Sequence, residues 1–166
     1  MTAPDSVSIW LHAAFAPVYR CGGWAWARVR RGEHAGMAGG DKPTSADRLD
    51  LLSLAEALRA VPDPAAPLVI HTASAELRAL HAAGWRTPLG DPAPHPDLWR
   101  KVEAALAQRT GPVSVEAADL APKSPAAFVA AWADLAQGKA RSTGPFSAAI
   151  PRSNLIKGLT QASPSR

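Results

Sequence analysis

Few residues in this chain carry chemistry, and they lie far apart. His12 sits in the run SIWLHAAF, Asp50 in the run ADRLDLLSLAEAL and His71 in LVIHTAS. Two imidazoles and one carboxylate make a donor set that suits Zn²⁺. The tightening H-x-H or i, i+4 spacing is absent, however, so the competing reading is of ordinary core or rim histidines. No metal is therefore expected. His34, His81 and His95 fall on loops or helix surfaces and complete no triad. The single cysteine, Cys21, excludes an internal disulfide and a cysteine-cluster metal site. GGDKPTS lacks the spacing of a phosphate-binding loop, so Gly39 and Gly40 mark a turn.

The elements that must position these residues follow from periodicity. Residues 7–13 alternate Val7, Ile9 and Leu11 against Ser8, Trp10 and His12, which predicts a strand. Residues 22–31 and 33–40 give two more, and the three form an antiparallel meander. A helix follows, capped by Thr44 or Ser45 with Asp47 closing a capping box, and its apolar face is Leu51, Leu54, Ala55 and Leu58. Residues 68–73 read as a buried strand, 74–84 and 97–109 as helices, and 112–120 as a last strand. The proline-rich connector TPLGDPAPHP joins the two helices. The helix 124–137 is expected to present Phe128, Trp132 and Leu135 on one side. The fold class is α/β, a mixed five-stranded sheet of three antiparallel strands and then parallel ones, with helices on both faces.

The chain has 166 residues, 47% of them apolar, and a net charge of +4. One domain is expected, without internal repeats. No stretch approaches the roughly 20 apolar residues of a membrane span, and the N-terminus lacks a signal pattern, so the expected location is cytoplasmic. The charge is uneven. Residues 139–166 hold Lys139, Arg141, Arg152, Lys157 and Arg166 with no acid, whereas residues 1–138 hold 13 basic and 14 acidic side chains. The division read from this is a body, 1–138, and a basic disordered tail, 139–166. Within the tail, 146–159 spaces Phe146, Ile150, Leu155, Ile156 and Leu159 among cations, as a partner-docking helix does.

This order of elements, with particular residues, resembles the type 1 ribonuclease H family. IWLHAAFAPVYRCGGW is similar to the family's first-strand motif and Gly-Gly-Trp, with Gly22, Gly23 and Trp24 in register. GGDKPTSADRLD aligns with its helix start and places Arg48 and Asp50 at the family's Arg and Glu. Thr72-Ala73-Ser74 is similar to its Thr-Asp-Ser, Asp97-Leu98-Trp99 to its Asp-Leu-Trp, and Ala133-Asp134-Leu135-Ala136 to its last-helix motif. The likeness covers residues 7–138.

The resemblance implies a metal-dependent RNA–DNA hybrid ribonuclease with four catalytic carboxylates. Here those positions are His12, Asp50, Ala73 and Ala133, with Asp134 or Asp119 as nearby acids. One carboxylate cannot assemble two Mg²⁺ ions about 3.5–4 Å apart, and Mg²⁺ needs hard oxygen ligands. The expectation is a degenerate ribonuclease H-like protein that acts as a nucleic-acid-binding or protein-interaction module, with no cofactor. The alternative is a residual hybrid endonuclease using Mg²⁺ or Mn²⁺. Asp50 is then either a remnant of the active site or a helix-edge carboxylate favoured by the macrodipole. Ser45, Arg48, Trp85 and Arg86 are the residual candidates for nucleic-acid contact, although Ala46-Asp47 replaces the family's amide pair and the basic handle is missing. The partners expected are an RNA–DNA hybrid or other nucleic acid, or a protein docking on the tail.

Overall fold

In the computed structural model, residues 5–61, 63–86 and 95–159 are described. Three strands, β1 (Val7–Ala16), β2 (Cys21–Arg30) and β3 (Glu33–Asp41), form the antiparallel meander. Next come α1 (Ala46–Arg59), β4 (Leu68–Thr72), α2 (Ala75–Ala82), α3 (Pro96–Ala107), β5 (Val113–Ala117), α4 (Pro125–Thr143), β6 (Phe146–Ala149) and α5 (Arg152–Leu159). The sheet order is β5-β4-β1-β2-β3-β6, with β4 parallel to β1 and β5 parallel to β4.

The expected α/β arrangement is present with one strand more than the five anticipated. That strand, β6, lies in the segment read as a disordered tail. It pairs antiparallel with β3, Met37 opposite Ala149 and Gly40 opposite Phe146. Ile150, Leu155 and Leu159 are buried beyond it. Three apolar residues at this spacing find a ready surface where Gly36 leaves room: a Cβ there would meet the Leu155 and Ile150 side chains. The boundary at residue 138 falls inside α4. Residues 160–166, Arg166 among them, lie outside the described residues, as does the connector 87–96 apart from His95 and Pro96.

Alternation divides the sheet into two faces. Val7, Ile9, Leu11, Trp24, Trp26, Leu68 and Ile70 pack with α1 and α3 in one core. Ala25, Ala27 and Ala38 pack with α4 and α5 in the other. The expected apolar side of α4 is not the one that seats the helix. Val129, Ala133, Ala136 and Ala140 are buried, whereas Leu135 is 67% exposed and Phe128 and Trp132 are half-buried. The reason is close approach. A Cβ on Gly23 would collide with the backbone of Ala133 and Ala136, and one on Gly40 with the Ala140 side chain. Small residues on the helix meet glycines on the sheet, so bulk is excluded where a longer side chain was expected.

Helix α1 starts at Ser45, whose hydroxyl accepts from the Arg48 amide at 3.3 Å. The expected capping box from Thr44 does not form; Asp47 instead accepts from the Ser45 hydroxyl at 2.6 Å. No helix among the described residues is long and apolar enough to cross a membrane.

Candidate functional site

β4 ends at Thr72, opposite Leu11 of the parallel β1, and β1 runs on to Ala16 paired with β2. His12 and Ala73 are the next residues, so the two family-equivalent strand positions do open onto one edge. Such edges are where open α/β sheets place their ligands. Asp50 reaches this edge from α1. Its Oδ2 accepts a 2.8 Å hydrogen bond from the Ser74 hydroxyl, and the same hydroxyl accepts from the Leu77 amide as the N-cap of α2. Asp50 is thus tied to the start of a second helix. Burial, opposed by the Ser74 bond and reinforced by Glu76, pushes its pKa up to about 6.

The two histidines go elsewhere. By alternation from Leu11 and Ile70, His12 and His71 point to the α4 face, while Asp50 rides on α1 against the other. Burial lowers the pKa of His12, with Asp134 of α4 opposing. His71 stacks on Trp10 at 4.8 Å between centroids, and its Nδ1 lies 3.8 Å from Glu116. Its pKa is also lowered by burial, with Glu116 opposing. The sheet separates His71 from α1, so His12, Asp50 and His71 do not assemble. Among the described residues no group of three or more His, Cys, Asp or Glu side chains is placed to hold a metal ion. Of the four family-equivalent positions only Asp50 offers a carboxylate, and one carboxylate does not fit a pair of Mg²⁺ ions. At the family's last-helix position, Ala133 is buried against β2, and the neighbouring Asp134 is exposed on the His12 side. Asp119 caps a turn by accepting from the Ala121 amide.

The residues expected to touch nucleic acid are mostly engaged within the chain. Arg48 makes a bidentate pair with Asp97, Nη1 at 3.2 Å and Nη2 at 2.8 Å, and its Nε lies 3.4 Å from Asp41. Arg48 in turn holds Asp97 down to a pKa of about 2. Ser45 is occupied as the cap. Asp47, its pKa lowered chiefly by the Ser45 bond, also meets His95 Nε2 at 3.1 Å. Trp85 is half-buried, packed on the α1 core and edge-on to His81. Arg86 alone of the four stands in solvent.

A second group was missed in the sequence. Lys42 Nζ donates to the Arg141 carbonyl at 2.7 Å, bridging the end of β3 to the last turns of α4. The Arg141 guanidinium lies 3.6 Å over the Tyr19 ring, and Lys139 Nζ lies 4.5 Å over Phe146. Arg20 is beside Tyr19, and its carbonyl accepts from the Thr44 amide at 2.9 Å. Lys42, Arg141 and the exposed Tyr19 therefore come together from three distant segments, while Lys139 sits on Phe146. Lys139 and Arg141 were legible as tail charge, but nothing in the sequence indicated their neighbours.

No family model matches the chain. A protein named Ribonuclease H from Gluconobacter oxydans is 36% identical over 108 residues, covering 60% of this chain and 71% of that protein. Another so named, from Granulibacter bethesdensis, is 32% identical over 110 residues, covering 61% and 73%. Among solved structures, the N-terminal RNase H domain of a Mycobacterium tuberculosis protein superimposes with a TM-score of 0.65 at 15% identity, covering 82% of this chain and 96% of that one. LC9-RNase H1, described as a type 1 RNase H with the type 2 active-site motif, gives a TM-score of 0.57 at 16% identity, covering 87% and 78%.

Proposed function

Because the chain belongs to the ribonuclease H family, we propose that it is a catalytically silent member that holds nucleic acid, with RNA–DNA hybrid as the reference ligand, without cutting it. The observation that carries this reading is the relation at the strand ends. Asp50, the one carboxylate among the four family-equivalent positions, is tied to Ser74, while His12 faces α4 and Ala73 offers a methyl group. Phosphodiester hydrolysis by two metals needs converging carboxylates that stabilise both the attacking and the leaving oxygen. Neither an imidazole desolvated against α4 nor a methyl group supplies them.

Binding falls to Arg141 over Tyr19 and to Lys42 beside it. Cations near an exposed ring attract a phosphate backbone and give a base a stacking surface. The acids Asp41 and Asp97 shield Arg48 from the same task. The test is fluorescence anisotropy of a labelled hybrid against the full chain at two salt concentrations. Affinity that falls with salt, and falls again in Lys42→Glu, supports the reading. Affinity indifferent to both would remove nucleic acid from it and direct attention to protein partners.

A further inference from the structure

Two turns along α1 from Asp50, the helix and α3 diverge around a pocket of about 480 Å³. Its wall includes Leu58 and Ala105, and three cations line it: Arg59, Lys101 and Arg109. The one acid is Glu56, which lies 3.4 Å from Arg59. Two positive charges are left without a lining acid. Arg59 and Lys101 are exposed, whereas Arg109 is half-buried: one terminal nitrogen donates to the Ala66 carbonyl, and its Nε is shut off from solvent without a hydrogen-bond partner. Such an orphaned donor on a cation is costly. Burial also lowers the Arg109 pKa, with only Asp63 opposing.

We propose that this pocket is a binding site for a small organic phosphate, its apolar body against Leu58 and Ala105 and its phosphoryl group among Arg59, Lys101 and Arg109. The volume lies in the range of pockets that hold drug-sized ligands. A guanidinium fork suits phosphate oxygens, and Lys101 adds a point charge. The site is separate from the strand-end carboxylate and from the cations around Tyr19, so it stands whether or not the chain binds hybrid.

The experiment titrates the isotope-labelled full chain with adenosine monophosphate and follows the backbone amides, with adenosine and inorganic phosphate as separate arms. Saturable shifts confined to residues 55–61 and 101–109 are expected, with the nucleotide bound at least about tenfold more tightly than either part. Arg109→Gln should abolish them. Because that variant also loses the bond to Ala66, Lys101→Glu and Arg59→Glu serve as controls in solvent-exposed positions, each expected to weaken binding severalfold. No localised shift, or shifts unchanged in these two variants, overturns the proposal.

Discussion

The Ser74 hydroxyl donates to Asp50 Oδ2 across 2.8 Å, joining the cap of α2 to the second turn of α1. A carboxylate in the family's position is here part of a helix-to-helix tie, and its pKa of about 6 exceeds that of a free aspartate. The sign of the pH effect follows. The folded chain takes up the Asp50 proton at a higher pH than the unfolded chain, so stability gains as pH falls from about 7 to 4 through this group. Asp50→Asn keeps an acceptor for Ser74 and removes the desolvated charge. It should raise stability at pH 7 by about 1 kcal/mol and flatten the pH 4–7 profile. Thermal melts across that range check both.

Asp97 holds Arg48 in the bidentate pair. Asp97→Asn should release the guanidinium and remove a negative charge from the rim, increasing hybrid affinity severalfold at low salt at a stability cost of under about 1 kcal/mol. Because the folded-state pKa of Asp97 is depressed to about 2, the stability this pair contributes is present above about pH 4 and lost as pH falls toward 2. Comparative anisotropy and acid titration of the two proteins measure these effects.

Gly23 lies against the α4 backbone at Ala133 and Ala136. Gly23→Ala should cost about 2–3 kcal/mol by forcing helix and sheet apart, lowering the melting temperature by about 2–4 °C per kcal/mol. Gly32→Ala, where the space is open but φ is +78°, should cost about 1 kcal/mol by backbone strain alone. Denaturant unfolding of the pair separates crowding from conformation.

Leu155 and Leu159 are 2% and 1% exposed on α5. Leu155→Ala should destabilise the whole chain by about 2–4 kcal/mol, as a core truncation does. A disordered tail would tolerate the change without effect, so calorimetry on this one variant decides how fully residues 146–159 belong to the folded unit.

The legible part of this molecule is what periodicity records within one element. The alternation of Val7, Ile9 and Leu11, the β2 tryptophans Trp24 and Trp26, and the cap at Ser74 all stand where the residues indicate. What was hidden depends on partners remote in sequence. The alanines of α4 are the seated face only because Gly23 and Gly40 wait on two strands more than 90 residues away. Composition concealed β6 and α5, since five cations in a proline- and serine-containing stretch outweigh three buried apolar side chains. At the strand ends, the identities of His12, Asp50 and Ala73 were readable through the family resemblance, whereas the Asp50 bond to Ser74 and the turning of His12 toward Asp134 required the fold.

The central claim is retention without cleavage. Its most direct test mixes labelled RNA–DNA hybrid with the full chain in Mg²⁺ and in Mn²⁺, and reads mobility shift and strand cutting in the same samples. A salt-sensitive shift with intact strands in both metals is the expected result. Cleavage that disappears in Asp50→Asn would contradict it and restore a nuclease built around that carboxylate.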